Sequence, residues 1–209
     1  MTSASRVERE ELCALFESVG EEAPTLCEGW DAGDLAAHLV VRERRPDAAA
    51  GLVVPWLAGH TGSVQDALRR RKTFGELVGL VRGGPVLVGL VPAVERAMNT
   101  VEYFVHHEDV RRAQEGWKPR DLDDALEEEL WRTITKRGRL LFRKSPVAIL
   151  VRRPSGESRR LVDGAGRVEL TGKPSELLLY AFGRKDHALV EVTGDADAVQ
   201  RFQGTDLSL

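Results

Sequence analysis

The sequence predicts an α+β protein of two units. The first, residues 1–118, is expected as an up-down four-helix bundle, and the second, residues 119–209, as a small α+β domain. Three observations carry this. Apolar residues recur at helical spacing through the first part of the chain. The pattern changes after Gly116-Trp117-Lys118-Pro119. Beyond that point short alternating runs are separated by Gly-containing turns.

Residues 5–20 read as the first helix, with Val7, Leu12, Leu15, Phe16 and Val19 on one face and Gly20 as the stop. The loop PTLCEGW ends at Asp31, which suits an N-cap, and Asp34 three residues on makes a weak capping box. The second helix runs from Ala32 to about Arg45, where Pro46 interrupts it. The stretch AAAGLVVPWLAG is apolar but broken by Gly and Pro. A third helix covers Ser63 to about Arg82, with a bend expected near Gly75 and a stop at Gly83-Gly84-Pro85. The fourth starts near Pro92 and runs to about Ala113, its inner stripe being Val94, Met98, Val101 and Val105.

In the second unit a charged helix spans about 121–143. PVAILVRR, SRRLVDG and GRVELTG read as three short strands. The helix PSELLLYAFGR, the strand HALVEVTGD and a last helix from about Asp195 complete the chain.

Composition narrows the function classes. The 209 residues hold 30 Lys and Arg against 33 Asp and Glu, a net charge of −3, so there is no electrostatic case for nucleic acid. A hydrophobic share of 42% excludes a globally disordered chain. No run approaches the roughly 18 apolar residues of a membrane span; the best, Val86 to Val94, contains Gly89 and Pro92. The polar start has no signal-peptide run, and two cysteines, Cys13 and Cys27, are too few for a disulfide framework. The expected location is the cytoplasm, with reduced thiols. A homodimer is compatible with all of this.

Of five histidines, two stand in informative contexts. His38 lies between Leu35 and Leu39, on what should be the buried stripe of helix two. His106 follows Glu102 by four residues, so the two are about 40° apart on one helix face. Asp109 falls back near Glu102, and Glu-x3-His-x2-Asp forms one polar stripe beside the apolar seam. Ionisable groups aimed into a bundle core are unfavourable unless paired or metal-bound. Two imidazoles and a carboxylate offer three ligands to a divalent ion and leave a fourth position open. Asp109 could then orient His106 or act as a fourth ligand. The same spacing fits a hydrogen-bonded surface pair, and His38 alone fits a satisfied core histidine. The residues by themselves leave both readings open.

The remaining features favour packing roles. His107 is 100° round from His106 and is expected to face solvent. His60 and His187 are assigned no role. Cys27 reads as a small buried hydrophobe rather than a reactive thiol, and not as a metal ligand. Trp30 reads as a packing anchor before the Asp31 cap. The run Arg69-Arg70-Arg71-Lys72 reads as a solvated helix end rather than a nucleic-acid patch. Arg152, Arg153, Arg159 and Arg160 could hold an anion or form the exposed face of an antiparallel sheet.

PTLCEGWDAGDLAAHL followed by EYFVHHEDVRRA resembles the mycothiol-dependent maleylpyruvate isomerase family, part of the DinB-like metal-binding bundles of actinobacteria. PSELLLYAFGR and VEVTGDADAVQRF resemble that family's small, sterol-carrier-like C-terminal domain. The resemblance implies that His38, Glu102 and His106 ligate a divalent metal, zinc or a similar ion. It implies mycothiol as cosubstrate and a metal- and thiol-dependent transferase or isomerase acting on small electrophiles. Arg184, in AFGR, is its best candidate for a substrate or thiol contact. The alternative is a metal-binding module without turnover: a sensor, a store or a binding partner. A fourth protein ligand closing the site, such as Asp109, would favour that alternative.

Overall fold

The structure, a computed structural model, describes residues 3–45, 48, 58–85 and 92–207, with side chains described at all of these except 58 and 92–98. Most of AAAGLVVPWLAG, residues 86–91 and the side chains of Val94 and Met98 therefore lie outside the described residues. The chain divides into two compact units, Met1–Pro119 and Arg120–Leu209.

The first unit is helical. Helix α1 spans Ala4–Val19 and ends where Gly20, at φ 86°, turns its N–H back to the Phe16 carbonyl. Leu12, Cys13 and Phe16 are fully buried on its inner face. Helix α2 spans Ala32–Arg44 behind a complete capping box, in which Asp34 N–H donates to Asp31 Oδ1 at 2.8 Å and Asp31 N–H to Asp34 Oδ2 at 3.3 Å. Leu35, Ala36, Ala37, Leu39 and Val41 are fully buried there. Each large apolar side chain so buried contributes roughly 1.5–3 kcal/mol.

Where one bent helix is expected over Ser63–Arg82, two occur: α3, Ala58–Arg71, and α4, Phe74–Gly83. The break falls at Lys72-Thr73 and not at Gly75, because Thr73 and Glu76 form a second capping box that restarts the helix. Helix α5, Pro92–Arg112, packs along α1, while α2 packs on α3 and α4. Val101, Tyr103, Phe104, Val105 and Val110 of α5 are buried, and so are His107, Glu108, Asp109 and Arg112. Glu108 and Arg112 neutralise one another at 2.6 Å.

The loop between α1 and α2 is tied down by the backbone. Leu26 N–H donates to the Asp109 carbonyl at 3.0 Å, and Gln114 Nε2 donates to the Pro24 carbonyl at 3.1 Å. Within the loop Thr25 Oγ1 donates to the Trp30 carbonyl and accepts from Cys27 N–H. These bonds fix Cys27 beside the C-terminal half of α5.

The second unit begins with α6, Asp124–Leu141, capped by Asp123. Strands β1 (Ala148–Arg152), β2 (Ser158–Val162), β3 (Arg167–Thr171) and β4 (Glu191–Gly194) form one sheet in the order β2-β1-β3-β4. β1 pairs antiparallel with β2 but parallel with β3, and β3 pairs antiparallel with β4, so the sheet is mixed. Helix α7, Pro174–Ala181, is buried along its whole length and is capped by Glu127 of α6, which accepts from Ser175 N–H and Oγ. A short 3-10 turn, Lys185–His187, occupies the start of the expected HALVEVTGD strand, which is a strand only from Glu191. Helix α8, Ala196–Gln203, lies against β3 and β4.

Candidate metal centre

Two helices and a loop of the first unit bring the singled-out residues together. On α2 the buried Leu35 and Leu39 set the helix rotation, and His38 between them is partly buried. Its ring lies with centroid 5.0 Å from that of Trp30 and 5.4 Å from that of His106. Trp30 thus packs as an anchor, and its partner is the candidate ligand itself.

On α5, Glu102 Oε2 is 3.6 Å from His106 Nε2. One ligand atom from each of His38, Glu102 and His106 lies within 4.8 Å of the others. On its other side the His106 ring is held at Nδ1, 3.0 Å from Oδ2 of the fully buried Asp109. Cys27 Sγ donates to the same Asp109 oxygen at 3.2 Å and lies 4.0 Å from His106 Nδ1. Asp109 is therefore turned to the far ring nitrogen, away from Glu102.

Charge in the centre is strongly shaped. Burial, reinforced by the nearby His106, drives the His38 pKa down to about 3, so its ring is neutral and keeps a lone pair for bonding. Burial works against the Glu102 carboxylate, but His106 and Arg42 outweigh it and bring its pKa to about 2. Burial also opposes a charged His106. The bonds to Asp109, Cys27 and Glu102 prevail and hold it well above the usual histidine range.

Once His106 gives up a proton to an incoming ion, the donors suit a divalent ion of the zinc type: two imidazoles and an ionised carboxylate. One observation supports the fit directly. His38 Nδ1 is buried and has no hydrogen-bond partner, an unfavourable state for an imidazole nitrogen in a protein interior.

Several neighbours are not singled out by the sequence reading. Arg42, one turn beyond His38, pairs through Nε with Glu102 Oε2 at 3.3 Å and donates from Nη1 to Asn99 Oδ1 at 2.9 Å. The i,i+4 spacing from His38 to Arg42 and the i,i+3 spacing from Asn99 to Glu102 are the signals that would find them. No local spacing links Cys27 to Asp109, since the contact joins residues 82 apart.

His107 does not face solvent. It is 4% exposed and its Nδ1 sits 3.1 Å from Glu8 Oε2 of α1, with Glu11 at 4.0 Å. The reason is that α5 is covered on more than one side, so a quarter-turn from His106 reaches a second interface. Arg69 likewise is no solvated helix end: it bonds to Asp31 and Asp34 and pairs with Glu21. In the second unit Arg152 pairs with Glu169, Arg153 with Glu128 and Glu157, and Arg160 with Asp163. Arg184 donates to the Phe182 carbonyl just before the 3-10 turn. Cys13 is fully buried, and burial pushes its thiol up to about 12.

A helical unit holding a polar centre, followed by a small mixed-sheet α+β unit, is an architecture with solved counterparts. The chain is similar to the crystal structure of the mycothiol-dependent maleylpyruvate isomerase, with a TM-score of 0.59 at 16% identity, covering 92% of this chain and 96% of that one. A His-to-Ala variant of the same enzyme matches with a TM-score of 0.57 at 17% identity over the same shares. The fold is thus shared with the enzyme whose family the sequence motifs resemble. No family model matches the chain, and no curated protein matches it. No described helix is long and apolar enough to cross a membrane.

Proposed function

We propose that the first unit binds a divalent metal ion, zinc by the chemistry of its donors, through His38, Glu102 and His106. The protein then acts as a thiol-dependent transferase or isomerase on small electrophiles, with mycothiol as the thiol and the cytoplasm as its place. In this reading residues 1–118 are a DinB-like up-down bundle whose third helix is split, and residues 119–209 are a small sterol-carrier-like domain.

The observation that carries the reading is the convergence of three ligand atoms, one of them on a neutral imidazole with an unpartnered buried nitrogen. The shared fold supports the choice of thiol. A divalent ion in this place would lower the pKa of a thiol bound to it and supply thiolate near neutral pH. The chain's own residues have separable tasks. Asp109 holds His106 at Nδ1, which fixes the ring so that Nε2 faces Glu102. Trp30 packs its ring against that of His38. Asp109 is occupied on the far ring nitrogen, so it does not close the fourth position, and this favours turnover over a sealed metal store.

The test combines metal stoichiometry of the purified protein after dialysis against a weak chelator with calorimetric titration of mycothiol. One equivalent of metal and metal-dependent mycothiol binding are expected. Metal content equal in wild type and His106→Ala would remove the centre. Metal without any mycothiol binding would leave the non-catalytic module as the function.

A further inference from the structure

Among the polar groups around Glu102, Arg42 has no task in the proposed chemistry. Its side chain is 15% exposed, and Nε lies 3.3 Å from Glu102 Oε2. That is the same oxygen that faces His106 Nε2 at 3.6 Å. Nη1 is tethered to Asn99 Oδ1 at 2.9 Å. The guanidinium therefore occupies the carboxylate on the side of the three converging donors.

We propose that Arg42 is the resident cation of this centre: it holds Glu102 while no divalent ion is bound, and an incoming ion must displace it or share the carboxylate with it, so that Arg42 sets how tightly the metal is held. The inference rests on the metal reading above. The donors lie within 4.8 Å of one another, and an ion bonded to them at roughly 2 Å sits a few ångströms from the guanidinium. Like charges at that spacing repel strongly in a partly desolvated site. The repulsion is lasting, because a guanidinium is a permanent cation in proteins. The bond to Asn99 also restrains it from swinging away.

An opposing effect exists. A donor that orients a ligating carboxylate raises metal affinity, and removing it lowers affinity. The two effects predict opposite signs. Geometry favours repulsion, because Arg42 engages the oxygen turned to His106, where the ion would bond, and an orienting donor would take the outer oxygen.

The experiment is zinc affinity by competition with a chromogenic chelator at fixed ionic strength, for wild type, Arg42→Met, Arg42→Gln and His106→Ala, with melting temperatures measured with and without zinc. Arg42→Met should bind zinc about tenfold tighter or more. Arg42→Gln, which keeps a hydrogen-bond donor for Glu102, should move the same way and guards against a folding defect in the Met variant. Without metal both should melt below wild type, since Glu102 keeps only His106 as a cationic partner, and zinc should raise their melting temperatures by more than it raises that of wild type. Unchanged or weaker zinc binding in both variants, with His106→Ala still defective, overturns the role of Arg42 and leaves the metal centre standing. Equal zinc binding by wild type and His106→Ala overturns the centre and this inference together.

Discussion

Helix α5 carries two polar seams, and the adjacent histidines His106 and His107 serve different ones. Toward α1, His107 meets the buried Glu8 at 3.1 Å, with Glu11 beside it. Toward α2, His106 meets Glu102, Asp109 and the His38 ring. Both seams group histidine with carboxylates, and both bring three potential ligand atoms together. The difference lies in what is left over. On the α1 side His107 and Glu8 satisfy each other inside the core, as buried polar groups do when their role is to join two helices. On the α2 side a buried nitrogen of His38 has no partner, and one carboxylate oxygen is shared between a guanidinium and an imidazole. A composition of His and Glu alone does not favour a metal proposal; an unpartnered imidazole nitrogen among them is what supports it on the α2 side.

Substitutions can break or sharpen this contrast. The largest effect is expected from His106→Ala, which should abolish metal retention through dialysis against a weak chelator while the helical content by circular dichroism persists. Asp109→Ala should come next. With the His106 ring no longer held at Nδ1, zinc affinity in a chelator competition should fall about 10–100-fold. His107→Ala belongs to the other seam and should keep full metal content. It removes a buried partner of Glu8 and opens space, so a denaturant titration should show a loss of about 2 kcal/mol. If His107→Ala instead releases metal, the two seams are one site and the contrast fails. Cys27→Ser should do least. A serine hydroxyl can still donate to Asp109, so metal content should equal that of wild type, and loss of metal with the fold intact would make Cys27 a ligand.

Much of the fold was legible because its signals are local. The Asp31–Asp34 box, the Gly20 stop and the apolar spacing of α1 and α2 each involve residues a few positions apart. The break within residues 63–82 rests on a signal just as local. The Thr73–Glu76 box is the same N-cap-to-N3 device as the Asp31–Asp34 box and restarts the helix, whereas Gly75 alone would signal only a bend. In the second unit the alternation of short apolar runs located β1–β3, yet it could not give the parallel pairing of β1 with β3. Strand order depends on which edge the chain returns to, and no single strand encodes that.

By itself the sequence determined that His38 would stand on the inner stripe of one helix and that Glu102, His106 and Asp109 would share a face of another, because helical periodicity fixes angular position. Only the tertiary structure decided which faces meet. It put His38 within reach of His106, turned Asp109 to Nδ1 rather than toward Glu102, and brought Cys27 in from a loop pinned to α5 by the bond from Leu26 to Asp109. It also buried His107, which helical geometry could place a quarter-turn away but could not assign to solvent or core. For His38 and His107 the physical reason is common: a side chain's direction follows from its own helix, whereas its partners on other elements follow from how those elements pack.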